Sequence, residues 1–175
     1  MMNDNYQIRI LASNEIDIIR RLSDEIWRKV YPSIISMEQI EFMLELIYNE
    51  DALKRQINEL GHTFLLVIKN DEPIGYASFS LKDGGEQGRY RLHKLYLQPD
   101  QHGKGLGKSL LNKIIEMILP SGAQSIELNV NKYNPTLGFY KKLGFSIISE
   151  EVIDIGQGYV MDDYVMELSP LKYPL

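Results

Sequence analysis

The chain contains no cysteine, which excludes disulfides, a thiolate nucleophile and any cysteine-ligated metal. Histidine is scarce, three in 175 residues. His62, His93 and His102 stand at no metal-ligand spacing, so no metal site is expected. No apolar stretch approaches the roughly 20 residues that span a bilayer. The start, Met-Met-Asn-Asp-Asn, has neither the basic region nor the apolar run of a signal peptide. A cytoplasmic protein with no membrane partner is expected. Positive charge is also in deficit: the net charge of −5 argues against a nucleic-acid partner and suits a cationic small substrate, although acidity serves mainly solubility. Internal repeats, low-complexity tracts and linkers are missing. Length and ordinary composition fit one domain over residues 1–175 with a full core.

What is present is organised around residues 92–119. Leu95 and Leu97 alternate with Lys94 and Tyr96 as in a strand, which Pro99 closes. Gly103, Gly105 and Gly107 alternate with Lys104 and Leu106, leaving the backbone nearly bare at three places. Behind them Leu106, Leu110, Leu111, Ile114, Ile115 and Ile118 recur at helical spacing, and Pro120 and Gly122 stop the helix. A bare loop feeding a helix start aims several unpaired N–H groups at one point. The helix dipole adds positive potential there, and Lys104 and Lys108 add formal charge, so the loop suits phosphate or pyrophosphate.

Two familiar phosphate loops fit poorly. A P-loop would place its first glycine at His102, one residue before Gly103, and no later strand ends in an aspartate for magnesium. A dinucleotide fingerprint counted from Gly105 and Gly107 requires its third glycine at Leu110. Glu127 lies at the distance of a ribose-binding acid but sits inside the next strand.

The rest of the chain reads as α/β. A strand over Gln7–Leu11 is followed by a helix with Ile16, Ile19, Leu22, Ile26 and Val30 inward, and Trp27 beside that stripe reads as core. Ser36 and Gln39 form a capping box for a helix burying Ile40, Met43, Leu44 and Ile47. A third helix carries Leu53, Ile57 and Leu60 and stops at Gly61. Strands over Thr63–Lys69 and Ile74–Leu81 flank the turn Asn70-Asp-Glu-Pro73, and Asp83-Gly-Gly-Glu86 turns the chain into a strand over Tyr90–Leu97. After the central helix, Ser125–Val130 is a strand parallel to it. A helix over Pro135–Leu143 ends at Gly144. Phe145–Ile155 and Tyr159–Leu168 close the chain as a hairpin around Gly156-Gln-Gly158.

The segment Leu95–Gly107 resembles the acetyl-CoA loop of the GNAT N-acetyltransferase superfamily, whose pattern is Gln/Arg-x-x-Gly-x-Gly/Ala after an apolar-x-apolar-x-Pro strand end. Gly105 and Gly107 match the glycines, Leu95, Leu97 and Pro99 match the strand end, and His102 stands at the basic or amide position. Downstream, Asn134-Pro-Thr-Leu-Gly-Phe-Tyr140-Lys-Lys-Leu-Gly144-Phe145 resembles the superfamily's N-x-A-x-x-F-Y-x-x-x-G-F helix, with Thr136 in place of alanine. The resemblance implies a mixed, mostly antiparallel sheet of six to seven strands, helices on both faces and a splayed parallel central pair. It implies acetyl-CoA as cosubstrate, held by Leu95, Tyr96, Leu97, His102, Gly103, Lys104, Gly105, Leu106, Gly107, Lys108, Asn134 and Tyr140. The Leu97 N–H would polarise the thioester carbonyl.

By the same resemblance Tyr140 protonates the departing thiolate, and it otherwise reads as a core aromatic. His93, taken to share a strand face with Leu95 and Leu97, is the candidate base, with Glu127 and the Asp162-Asp163 pair as alternatives. His62 reads as a solvated loop residue. Tyr31 and Asp162 are candidate substrate contacts, Asp162 because it interrupts the apolar face of Val160, Tyr164, Met166 and Leu168. The expected activity is direct acetyl transfer to a small amine. Ile155-Gly-Gln-Gly to Met166 resembles polyamine acetyltransferases, while a peptide N-terminus or a silent acyl-CoA-binding module are the rivals. The edge of the last hairpin suits pairing with a second copy.

Overall fold

The computed structural model describes residues 6–82 and 88–175, so the expected Asp83–Glu86 turn lies outside the described residues. Strand β1 (Tyr6–Ile10) leads to helices α1 (Ile16–Val30), α2 (Met37–Tyr48) and α3 (Glu50–Asn58). Strands β2 (Thr63–Lys69), β3 (Glu72–Leu81) and β4 (Arg89–Leu97) follow, then α4 (Leu106–Ile118), β5 (Ser125–Asn131) and α5 (Leu137–Lys142). The chain closes with β6 (Ser146–Gly156) and β7 (Tyr159–Leu168). One seven-stranded sheet runs β1-β2-β3-β4-β5-β7-β6. It is antiparallel except at β4–β5, which are parallel because α4 carries the chain back between them. Mixed sheet, helices on both faces and a parallel central pair are as the sequence implied.

The strands alternate, and each face of the sheet meets its own apolar layer. On one face Leu65, Val67, Ala77, Leu92, Ile126, Leu128 and Met166 pack against the Leu110, Leu111, Ile114, Ile115 and Ile118 stripe of α4. On the other, Phe64, Leu66 and Tyr76 meet Ile19, Leu22, Ile26 and Trp27 of α1 together with Ile40, Met43, Tyr48 and Leu53. Ser36 caps α2 by accepting from the Gln39 amide at 3.1 Å. The reciprocal half of the capping box does not form, because the Gln39 side chain donates to the Val160 carbonyl at 3.3 Å instead. Leu60 lies past the end of α3 and is exposed rather than inward.

One irregularity shapes the centre of the sheet. Ser78 faces Lys94 but Phe79 faces Leu92, so His93 is the extra residue of a β-bulge in β4. A bulge puts two successive side chains on one face. His93 and Lys94 therefore both point to the α1–α3 side, while Leu92 and Leu95 both belong to the α4 side.

Candidate active site

The loop between β4 and α4 is built to hold an anion. Gly103 and Gly105 adopt φ of +75° and +78°, a region that side chains disfavour, and a Cβ on either would meet nothing within 4 Å. The first backbone bond of α4 runs from the Ser109 amide to the Gly105 carbonyl at 3.0 Å. No backbone carbonyl among the described residues accepts from the amides of residues 103–108. Six successive N–H groups are thus left for a ligand, at the positive end of a helix. Lys104 and Lys108 are exposed beside them. His102 turns the other way, its Nε2–H donating to the Leu97 carbonyl at 3.0 Å. The imidazole therefore ties the loop to the end of β4 rather than reaching outward, as a longer glutamine or arginine at this position would.

Next to the loop the two parallel strands separate. Their pairing covers Arg89–Arg91 with Ser125–Glu127 and goes no further. The Gln98 amide bonds to Ile74 on β3 at 2.9 Å, and only alternate residues of an antiparallel strand bond to a given neighbour. Leu95 and Leu97 therefore turn their backbone groups toward the gap that β5 has left. A cavity of about 300 Å³ occupies this gap. From the α4–α5 side it is lined by His102, Asn134, Thr136 and Tyr140, and from the α1–α3 side by Trp27, Tyr31, Tyr96 and Asp163. Its lining is drawn from both faces of the sheet. The Asn134 side-chain oxygen accepts from the Thr136 amide and hydroxyl at 2.9 and 2.8 Å, so its NH2 is the group left to offer.

Tyr140 lies on α5 and is buried. Burial pushes its phenol above the ordinary tyrosine range, which keeps the hydroxyl protonated as a donor. Tyr31, expected near the acceptor, hydrogen-bonds through its hydroxyl to that of Tyr96 at 3.1 Å and packs on Trp27 with ring centroids 4.5 Å apart.

His93 lines the cavity but not from the strand face on which it was expected. The bulge takes His93 off the Leu95–Leu97 face, and its ring stacks on His62 at 3.8 Å while Nε2 bonds to Ser80 Oγ at 2.7 Å. Burial, reinforced by His62, Lys94 and Arg91, lowers its pKa to about 3. Such an imidazole is neutral but a poor proton acceptor. His62, read from sequence as a solvated loop residue, is half of that stack.

The acidic alternatives also separate. Glu127 is held between Lys82 at 2.8 Å and Arg91 at 3.4 Å. Asp162 faces the α4 side and pairs with Lys132 at 2.7 Å, outside the cavity lining. Asp163 is on the cavity side and 5% exposed. The sequence reads it with Asp162 as an alternative base, and gives the substrate contact to Asp162 because that residue interrupts an apolar alternation. Val160, which supported that reading, is 50% exposed.

Lys94 is the group that sequence reasoning missed. It is buried in the cavity wall, donates to Gln56 Oε1 at 2.7 Å and lies over the Tyr48 and Phe64 rings. No carboxylate among the described residues pairs with it. Its signal was a lysine between two apolar strand positions. Burial lowers its pKa to about 7, against about 10.4 unfolded. Between those values the unfolded chain binds a proton that the folded one does not, so stability rises with pH from about 7 to 10. Lys94→Met removes the buried charge, and its gain in melting temperature is expected to be larger at pH 6 than at pH 9. A gain that does not change with pH in calorimetry contradicts this.

Comparison with known proteins agrees with this geometry. Residues 33–167 match the family model of the acetyltransferase (GNAT) domain. A peptidyl-lysine N-acetyltransferase, YjaB of Salmonella typhimurium, is 31% identical over 118 residues, covering 62% of this chain and 72% of that protein. A spermidine N(1)-acetyltransferase of Thermoplasma acidophilum is 25% identical over 161 residues, 89% of this chain and 95% of that one. The crystal structure of the PaiA N-acetyltransferase of Thermoplasma acidophilum in complex with coenzyme A superposes with a TM-score of 0.78 at 25% identity, covering 94% of this chain and 99% of that chain. The fold, the split parallel pair and the family match converge: the chain belongs to the GNAT acetyltransferase family and is an N-acetyltransferase.

Proposed function

We propose that the enzyme moves an acetyl group from acetyl-CoA directly to a primary amine on an unbranched alkyl chain, with a small polyamine-like molecule as acceptor. The observation that carries this reading is the cavity at the split between β4 and β5, lined by His102 next to the unpaired amides and by a buried carboxylate among aromatic rings on the other face. The residues fit the coenzyme: the Gly103 and Gly105 positions leave room against the backbone for a diphosphate, and the bare edge of β4 suits a pantetheine arm. When bound, acetyl-CoA supplies an activated acyl thioester.

The chain's own groups do the remainder. The amides of residues 103–108, with Lys104 and Lys108, bind the diphosphate. Backbone groups of Leu95 and Leu97 would hold and orient the arm, and the Leu97 N–H would polarise the thioester carbonyl as a fixed dipole. Asn134 donates from the opposite side. Tyr140 supplies the proton that the leaving sulfur needs. A second reading, transfer to a lysine side chain within a peptide, is supported by the Salmonella relative, and both acceptors present the same alkylammonium.

A thiol-release assay with acetyl-CoA against spermidine, a lysine peptide and a peptide N-terminus tests the proposal. Turnover greatest on spermidine is expected. No turnover on any amine, with coenzyme A bound, would favour a silent binding module. His93→Gln is expected to change kcat/KM by less than about threefold, because an imidazole so weakly basic and already bonded to Ser80 takes little part. A hundredfold loss in the same assay would restore it as the base.

A further inference from the structure

Asp163 lies on β7 opposite Asn131 of β5, on the face that carries α1–α3. Its Oδ1 is buried with no hydrogen-bond partner among the described residues, yet the residue lines the cavity. The neighbouring carboxylates are committed elsewhere. Glu127 pairs with Lys82 and Arg91, Glu151 accepts from Asn129 at 2.8 Å, and Glu150 and Asp162 share Lys132. Asn129 donates to the carboxylate, but a buried oxygen without a partner is costly, so Oδ1 on the cavity side calls for one more donor.

We propose that Asp163 is the receptor for the acceptor's ammonium group and takes a proton from it before attack. The inference rests on the acetyl-transfer reading above and names the side chain that selects a cationic amine. Tyr31 connects the two halves of the site, since its hydroxyl lies within electrostatic reach of both the Asp163 carboxylate and the Tyr140 phenol. The Trp27, Tyr31 and Tyr96 rings on the same wall favour a cation further. An alkylammonium has a pKa of about 10.4 and no lone pair for attack until a proton leaves.

The proton balance is complete. Of the three ammonium protons, one remains on the amide nitrogen, one passes to Asp163 and then to solvent, and one replaces the proton that Tyr140 gives to sulfur. The carbon–nitrogen bond forms as the carbon–sulfur bond breaks. Burial raises the Asp163 carboxyl to about 6, which leaves it ionised at neutral pH and basic enough to accept. Asn129 of β5 and Arg91 of β4 oppose that rise, while Glu151 of β6 and Asp162 on its own strand support it.

The test compares Asp163→Asn with wild type on spermidine and on aniline, an arylamine that is neutral at the assay pH, with coenzyme A affinity measured by titration calorimetry. The proposal expects kcat/KM on spermidine to fall about a hundredfold, aniline to be affected less than about threefold, and the coenzyme A Kd to be unchanged. Equal losses on both amines would make Asp163 a structural residue, and no loss on spermidine would remove it from the site; either result overturns the proposal. A wild-type enzyme that binds coenzyme A but acetylates neither amine would instead overturn the acetyl-transfer reading on which the inference rests.

Discussion

Tyr140→Phe is expected to lower kcat about a hundredfold while leaving the coenzyme A Kd within about threefold of wild type. Loss of a positioned general acid costs roughly 10²–10⁴ in rate, and the lower end applies where water can reach the leaving sulfur. The fold should tolerate the change. The ring fills the same space against Phe139 and Phe145, and the hydroxyl bonds to no partner among the described residues, so its removal leaves nothing buried and unpaired. Rapid-mixing thiol release measures kcat, and calorimetry measures Kd. Unchanged kcat would take the phenol out of the reaction and leave Tyr140 as a core aromatic.

Leu110→Ala is expected to have the largest effect on stability. Leu110 is fully buried in the middle of the α4 stripe, where truncating leucine costs about 2–5 kcal/mol as lost transfer energy and residual cavity. For a chain of this size that corresponds to a fall in melting temperature of about 10 °C. The consequence reaches the site, because the same stripe seats the helix whose first turn carries the free amides. Differential scanning calorimetry reads the shift, and a fall of less than about 3 °C would contradict the packing described.

The strands and the central strand–loop–helix unit were legible because their signals are local or periodic. The α4 stripe recurs at helical spacing, Pro99 and the glycines mark its entrance, and Ser125–Val130 alternates. The acidic and basic side chains were harder, since their roles depend on which face they occupy. The bulge at His93 inserts one residue into β4 and reverses the parity of everything before it. Nothing in the alternation of Leu95 and Leu97 announces that reversal. Asp162 and Asp163 show the same difficulty: adjacent strand residues point to opposite faces, and the exposed Val160 misled the choice between them. Lys94 was visible as a charge in an apolar run, but its pairing with Gln56 comes from α3, 38 residues away. His102 kept the place of the family's basic residue while taking a different partner, a matter of side-chain length that no pattern of residue types encodes.

The central claim is that the unpaired amides of residues 103–108 bind the diphosphate and thereby set the thioester in the gap between β4 and β5. Titration calorimetry of the wild-type enzyme with coenzyme A and with pantetheine, which lacks the diphosphate and nucleotide, tests it most directly. The account predicts that coenzyme A binds at least a hundredfold more tightly than pantetheine. Equal affinities, or no binding of coenzyme A at all, would contradict it.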